Sequence, residues 1–253
     1  MTAVSTLYVA WRSPRTRAIY PVGRLRQHDR SPQFEFAYIA GAQEAQPHGF
    51  QHFWNMPELD QVYLSDELFP LFSNRLMSGS RPDYSDYVAR LGLQPSSAGP
   101  FDILSRSGGL RPDDKLEFFA PPLRLEQTDR LQWHFLVRGV RYMPGSEDRI
   151  KLLEPGERLR LMLDCQNEFD PLAVALRTDD HCLLGYMPMY FAADIKQLFE
   201  VHRELAVTVA KINLPPAPLH HRVLCVLEGP WPSGFQPFST ERYRPLAQAP
   251  QSA

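Results

Sequence analysis

Asn167-Glu168-Phe169-Asp170-Pro171-Leu172-Ala173-Val174 is the stretch on which the reading of this chain turns. The short polar side chains at 167 and 170 bond readily to nearby backbone amides, and Pro171 blocks a helix, so the stretch opens as an exposed turn. Leu172-Ala173-Val174-Ala175-Leu176 then predicts a buried strand, with Ala173 and Val174 packing inward. Two roles suit Asn167 and Asp170, as braces of the turn or as ligands for something bound at it. The residues alone leave both open.

Outward from this turn the chain reads as short strands. Trp133, Phe135 and Val137 alternate, and so do Leu159, Leu161 and Leu163 after the turn Glu154-Pro155-Gly156. Leu183 to Met187 gives a further strand, Met189 to His202 a helix with Ile195, Leu198 and Phe199 on one face, and Leu205–Ile212 and Arg222–Leu227 two closing strands. Many short strands with one helix suggest a small barrel. Nearer the start, Leu7, Val9 and Trp11 alternate, Pro21-Val22-Gly23-Arg24-Leu25 follows a turn, and Phe34, Phe36 and Tyr38 alternate again, which predicts an antiparallel meander. The spacing is weakly helical over Asp66–Met77 and clearer over Asp83–Leu91, where Tyr84, Tyr87, Val88 and Leu91 share a face ahead of Gly92.

The region from Gln94 to Gln127 is rich in Pro, Ser, Gly and Asp and reads as a junction. A chain of 253 residues also favours two domains, since domains usually run about 100–200 residues. We therefore expect an α+β, β-rich protein: 1–93 a meander with helices, 94–129 a junction, 130–230 a small OB-like β-barrel with one or two helices, and 231–253 a loosely held tail.

Charge narrows the function classes. The 27 Lys+Arg nearly balance 29 Asp+Glu, which excludes coating of nucleic acid by bulk charge but permits a local site. The balance is uneven along the chain: six Arg and one acid up to Arg30, then six acids and no Lys or Arg from Ser31 to Asn74. No apolar run long enough for a signal peptide or a spanning helix follows the start, so a cytoplasmic protein is expected. Cys165, Cys182 and Cys225 fit neither a disulfide framework nor a zinc ribbon. Phosphate-loop, dinucleotide, zincin, hydrolase and kinase motifs are absent, so an enzyme is not expected and no cofactor is implied. Asp179-Asp180-His181-Cys182 matches no tetrahedral metal spacing and reads as a hairpin tip, and His220-His221 as surface histidines of a loop.

Four blocks taken together, Gly139-Val140-Arg141-Tyr142, Glu154-Pro155-Gly156-Glu157, Asn167 to Val174 and Leu184-Gly185-Tyr186-Met187-Pro188, resemble the HIRAN domain in order and spacing. The resemblance implies an OB-type barrel and, as in a fork-remodelling member of that family, capture of single-stranded DNA at a 3′-hydroxyl. Such a pocket needs an aromatic face for the terminal base, an acceptor for the hydroxyl and a cation for the phosphate. On this resemblance the binding residues are Arg141, Tyr142, Asn167, Phe169, Asp170 and Tyr186, with Lys211 as a further phosphate contact and Asp170 as the hydroxyl acceptor. Phe169 stands where the DNA-binding version has Tyr, and Tyr186 where it has His, so stacking survives while hydrogen bonding at the end is altered. Arg149, Lys151, Arg158 and Arg160 extend a phosphate track that Glu147, Asp148, Glu154 and Glu157 largely cancel. The salt dependence expected is shallow, about −0.7 in log–log slope per single-strand contact.

In the first half, Pro21 to Leu25, Phe34 to Tyr38, Asn55-Met56-Pro57 and Leu68-Phe69-Pro70-Leu71-Phe72-Ser73-Asn74-Arg75-Leu76 look like the N-terminal subdomain of HipA-type kinases, and Ser107-Gly108-Gly109-Leu110-Arg111-Pro112 resembles the entry to their kinase core. This implies a partner of a HipA-like kinase or of a DNA-binding regulator in a toxin–antitoxin module, since no catalytic segment follows. The leading expectation is non-catalytic recognition of nucleic acid, single-stranded or 3′-ended. The alternative, from a different class, is a protein-interaction regulator docking through the acidic Ser31–Asn74 surface. No membrane partner is expected.

Overall fold

The computed structural model describes residues 5–111, 114–201 and 204–247. The readings placed at Met1–Val4, at Pro112 and at His202, and the end of the tail from 248 on, lie outside them. The fold is α+β with two antiparallel sheets and few helices, and it divides into two compact units, each assembled from separate stretches of chain. No helix among the described residues is long and apolar enough to cross a membrane.

The first unit takes Met1–Tyr84, Ala98–Pro121 and Phe238–Ala253. Its strands are β1 (Thr6–Arg12), β2 (Ile19–Gln27), β3 (Phe34–Tyr38), β4 (Val62–Ser65) and β5 (Leu116–Phe119), in the order β4-β3-β2-β1-β5. The predicted meander is β1–β3. Leu7, Val9, Val22, Leu25, Phe36 and Tyr38 face one core, together with Phe72 and Phe118. Gly23 is required where it stands, because a Cβ there would meet the Phe36 ring at 2.4 Å. Buried Tyr38 donates its hydroxyl to the Met56 carbonyl (2.7 Å) and accepts the Phe53 N–H (2.6 Å), which fixes the 53–56 turn against the sheet. Helices α1 (Ala40–Ala45) and α2 (Pro70–Ser73) belong to this unit. The weak helical pattern of 66–77 yields only that single turn, opened by Pro70 at its first position.

The stretch read as a junction and the stretch read as a loosely held tail both contribute ordered structure. The junction 94–129 contains an α-helix (Pro100–Ser107, numbered α4 in chain order after α3 below) and β5, which pairs with β1 in register from Tyr8↔Phe119 to Trp11↔Leu116. Its turn-forming composition hid a short amphipathic helix, started by Pro100 and closed by left-handed Gly108. The tail is also packed as far as it is described. The Phe238 ring lies 5.2 Å from both Tyr8 and Phe119, and the Leu246 N–H donates to the Tyr38 carbonyl at 2.9 Å. It lacks periodicity because isolated aromatics hold it, each contributing about 2 kcal/mol when fully buried.

The second unit takes Ser85–Ser97 and Pro122–Pro237. Helix α3 (Tyr84–Arg90) thus packs with it, burying Val88 and Leu91. The sheet comprises β6 (Leu123–Leu125), β7 (Arg130–Leu136), β8 (Arg158–Leu163), β9 (Val174–Arg177), β10 (Leu183–Tyr186), β11 (Ala206–Ile212) and β12 (Val223–Pro230), with α5 (Ser146–Ile150) and α6 (Ala192–Val201) beside it. The order is β10-β9-β8-β11-β12-β7-β6. The OB-like barrel expected from the sequence is not closed by a strand ladder among the described residues. Instead one isolated bridge, Arg138↔Tyr186, joins the end of β10 to the residues after β7. The reason is local. β10 shifts register between Leu183 and Gly185, and Gly185 sits at φ 150°, which turns the strand after a short run.

Candidate nucleic-acid interface

The site grows from that isolated bridge. The Arg138 N–H donates to the Tyr186 carbonyl at 2.9 Å and the Tyr186 N–H to the Arg138 carbonyl at 2.8 Å. Gly185 permits this approach, since a Cβ there would meet the Arg138 oxygen at 2.2 Å. Gly139 follows at φ 73°, with the Tyr186 ring 3.3 Å from where its Cβ would be. The chain then makes the single 3-10 turn Val140–Tyr142, pinned by buried Ser146, whose hydroxyl donates to the Val140 carbonyl at 3.0 Å. Arg141 and Tyr142 leave this turn. The Arg141 guanidinium lies 4.6 Å over the Tyr142 ring centre and bonds its hydroxyl at 2.5 Å.

Tyr186 also reaches the 164–170 turn. Its hydroxyl donates to Asp164 Oδ2 at 2.9 Å, and the same oxygen accepts Asn167 Nδ2 at 3.2 Å. Asn167 Oδ1 in turn accepts the N–H groups of Phe169 (3.0 Å) and Asp170 (3.1 Å), while Asp170 Oδ1 accepts that of Leu172 (2.9 Å). Asn167 is therefore a brace, its amide committed on both sides. Asp170 is a brace through one oxygen only; Oδ2 has no hydrogen bond among the described residues. The aromatic rings beside them are open to solvent, Phe169 by 64% and Tyr142 by 56%.

The carboxylates of this network titrate in opposite directions. Hydrogen bonds from Asn167 and then Tyr186 hold Asp164 below the ordinary carboxylate range, whereas burial pushes Asp170 above it against the Leu172 N–H. Burial, then the bond to Asp164, raises the Tyr186 phenol. Because its folded value is depressed, Asp164 stabilises the fold at pH values above its unfolded pKa of about 3.9, and this is lost as pH falls through the folded value. Asp170, raised on folding, opposes folding at neutral pH, and that opposition disappears as pH falls through its folded value. Denaturant unfolding between pH 3 and pH 7 should accordingly show Asp164→Asn flattening the loss of stability on acidification and Asp170→Asn leaving stability at pH 7 equal or higher. A lower stability of Asp170→Asn at pH 7 would mean that its carboxylate is needed charged by the fold.

The bridge and the Asp164 network thus connect the 139–142 turn, Tyr186 and the turn bearing Asn167, Phe169 and Asp170. Lys211 is placed elsewhere. Its ammonium donates to the Ala89 carbonyl at 2.6 Å, and neighbouring Asn213 donates to the carbonyls of Arg90 (2.9 Å) and His221 (2.7 Å). Lys211 caps the C-terminus of α3, where a cation also suits the helix dipole. Three of the four cations of the phosphate track are paired with neighbouring acids: Arg149 with Glu157 (2.5 Å) and Asp180 (3.0 Å), Arg160 with Asp179 (2.7 Å), Lys151 with Asp148 (2.7 Å). Asp179 and Asp180 thus serve ion pairs at the hairpin tip, where Thr178 Oγ1 accepts the Cys182 N–H at 3.1 Å. The sequence reading missed Asp164, although it stands three residues before Asn167, the spacing at which a carboxylate can close a turn onto an amide.

Residues 133–226 match the HIRAN domain family, and they contain every residue of this network. Among solved structures, a protein from Lactobacillus plantarum is 20% identical, with a TM-score of 0.32 over 43% of this chain and 92% of its own. The HIRAN domain of human HLTF is 17% identical, with a TM-score of 0.29 over 40% of this chain and 73% of its own. No curated protein matches the chain.

Proposed function

We propose that the HIRAN domain at residues 133–226 makes this chain a non-catalytic nucleic-acid-binding protein that takes a single DNA strand by its free 3′ end. What supports the end-capture reading is Asp170: a partly buried carboxylate with one oxygen tied to the backbone and the other open, next to the exposed Phe169 ring. A terminal base stacks on Phe169 or Tyr142, and the 3′-hydroxyl donates to Asp170 Oδ2. Arg141 swings from the Tyr142 ring to the adjoining phosphate.

Fluorescence anisotropy with a labelled oligonucleotide tests this. Phe169→Ala should weaken binding about tenfold, the effect of losing one stacked base. Asp170→Asn keeps the bond to Leu172 but removes the hydroxyl acceptor, so it should abolish the preference for a 3′-hydroxyl over a 3′-phosphate. Equal affinity of the unmodified protein for both ends would overturn end capture, and no binding at low salt would overturn nucleic-acid recognition altogether.

A second reading concerns the first unit, as a docking module for a protein partner such as a HipA-like kinase or a DNA-binding regulator. Supporting it, residues of two segments that carry the HipA-like resemblance, Asn55 and Met56 of the one and Phe69–Leu71, Asn74 and Arg75 of the other, line one cavity of about 280 Å3. Recovery of a kinase or regulator after co-expression with neighbouring genes tests it.

A further inference from the structure

The two edges of the first unit's sheet are treated differently. At β5 all four residues are buried, and the Phe118 N–H donates to the Gly108 carbonyl at 2.9 Å, so the loop after α4 covers that edge. At β4 nothing comparable occurs. Its neighbour is β3, paired from Phe34↔Ser65 to Ala37↔Val62, and among the described residues no backbone group of Val62–Ser65 bonds to any other segment. An unpaired edge presents alternate N–H and C=O groups outward as a template for another strand. Leu64 adds an apolar side chain, 51% exposed.

The surroundings select what can pair there. Glu58, Asp60, Asp66 and Glu67 flank the strand, all are exposed, and none is in an ion pair among the described residues. The other two acids of the base-free stretch are already neutralised, Glu35 by Arg24 and Arg26 and Glu44 by Arg242. A second copy of β4 brings the same four acids and is repelled. A strand bearing Lys or Arg is attracted. We propose that β4 is a docking edge for an extended, basic segment of a partner protein, which adds as a sixth strand with its cations beside Asp60 and Glu67 and an apolar side chain on Leu64. This rests on the reading of the first unit as a partner-binding module and names the chemistry of that partner.

The test uses the full chain and two acetylated, fluorescein-labelled peptides, one alternating lysine with valine and one alternating glutamate with valine. The lysine peptide binds, and the glutamate peptide does not. In hydrogen exchange, saturating lysine peptide slows the outward amides of Val62–Ser65 about tenfold or more. The double substitution Asp60→Lys, Glu67→Lys, on exposed side chains that no bond holds, raises Kd about tenfold at low salt while leaving oligonucleotide binding unchanged. If the peptide binds and the double variant weakens it but exchange at β4 is unaltered, an acidic docking surface stands and the strand addition is overturned. If the lysine peptide fails to bind at low salt, both are overturned.

Discussion

Gly185→Ala is expected to be the most damaging single substitution at the candidate interface, lowering stability by on the order of 3 kcal/mol or more and abolishing oligonucleotide binding. Two costs add. At φ 150° an L side chain is strained, and the new Cβ would lie 2.2 Å from the Arg138 oxygen and 2.8 Å from Val137 Cγ1. The oxygen is backbone and cannot rotate away, so β10 must leave the Arg138–Tyr186 bridge. Tyr186 then loses its position over Gly139 and its line to Asp164, and the two turns that carry the exposed aromatics come apart. Thermal unfolding and anisotropy report the two effects separately. Tyr186→Phe is the control: it deletes only the hydroxyl, costs about 1 kcal/mol, and leaves stacking in place. Near-wild-type binding by Gly185→Ala would show that the bridge does not organise the site.

Asn213→Ala should be the next largest, at about 2 kcal/mol, or roughly 4–8 °C in Tm for a chain of this size. The side chain is buried, 6% exposed, and both hydrogens of its amide are used, one on the Arg90 carbonyl and one on His221. Alanine leaves both carbonyls without that donor and frees the end of α3. Hydrogen exchange should localise the loss to Tyr84–Arg90. Lys211→Ala, at the same helix end, should lower stability but leave the salt slope of oligonucleotide binding unchanged. A slope reduced by about 0.7 would return Lys211 to the phosphate-binding set.

These residues mark where sequence reading succeeds. The 167–174 turn was legible because its bonds are local: Asn167 reaches two and three residues ahead and Asp170 two. The strands around it were legible from alternation, as at Trp133 and Phe135. Lys211 was not, because its partner Ala89 lies 122 residues earlier and a lysine in a strand carries no mark of a helix it will cap. Asp164 was overlooked for a related reason: one of its two partners, Tyr186, is 22 residues away on another strand. Barrel closure depended on the backbone angle at Gly185, and packing of the tail on a few aromatics without period. In each case the deciding interaction is long-range or set by one backbone angle, and hydrophobic pattern reports neither.

The interleaving of the two units also bears on how the chain is made. It passes between them at residues 84/85, 97/98, 121/122 and 237/238, so no single cut separates the halves. During synthesis the first sheet must wait: β5 follows the excursion through α3, and Phe238 and Tyr243 reach Tyr8 only after the entire second unit has emerged. The stretch that completes the packing of β1 is made only after the second unit. A chain cut after Pro237 therefore damages the first unit, and a HIRAN-domain fragment begun at 130 leaves behind the helix that Lys211 and Asn213 hold.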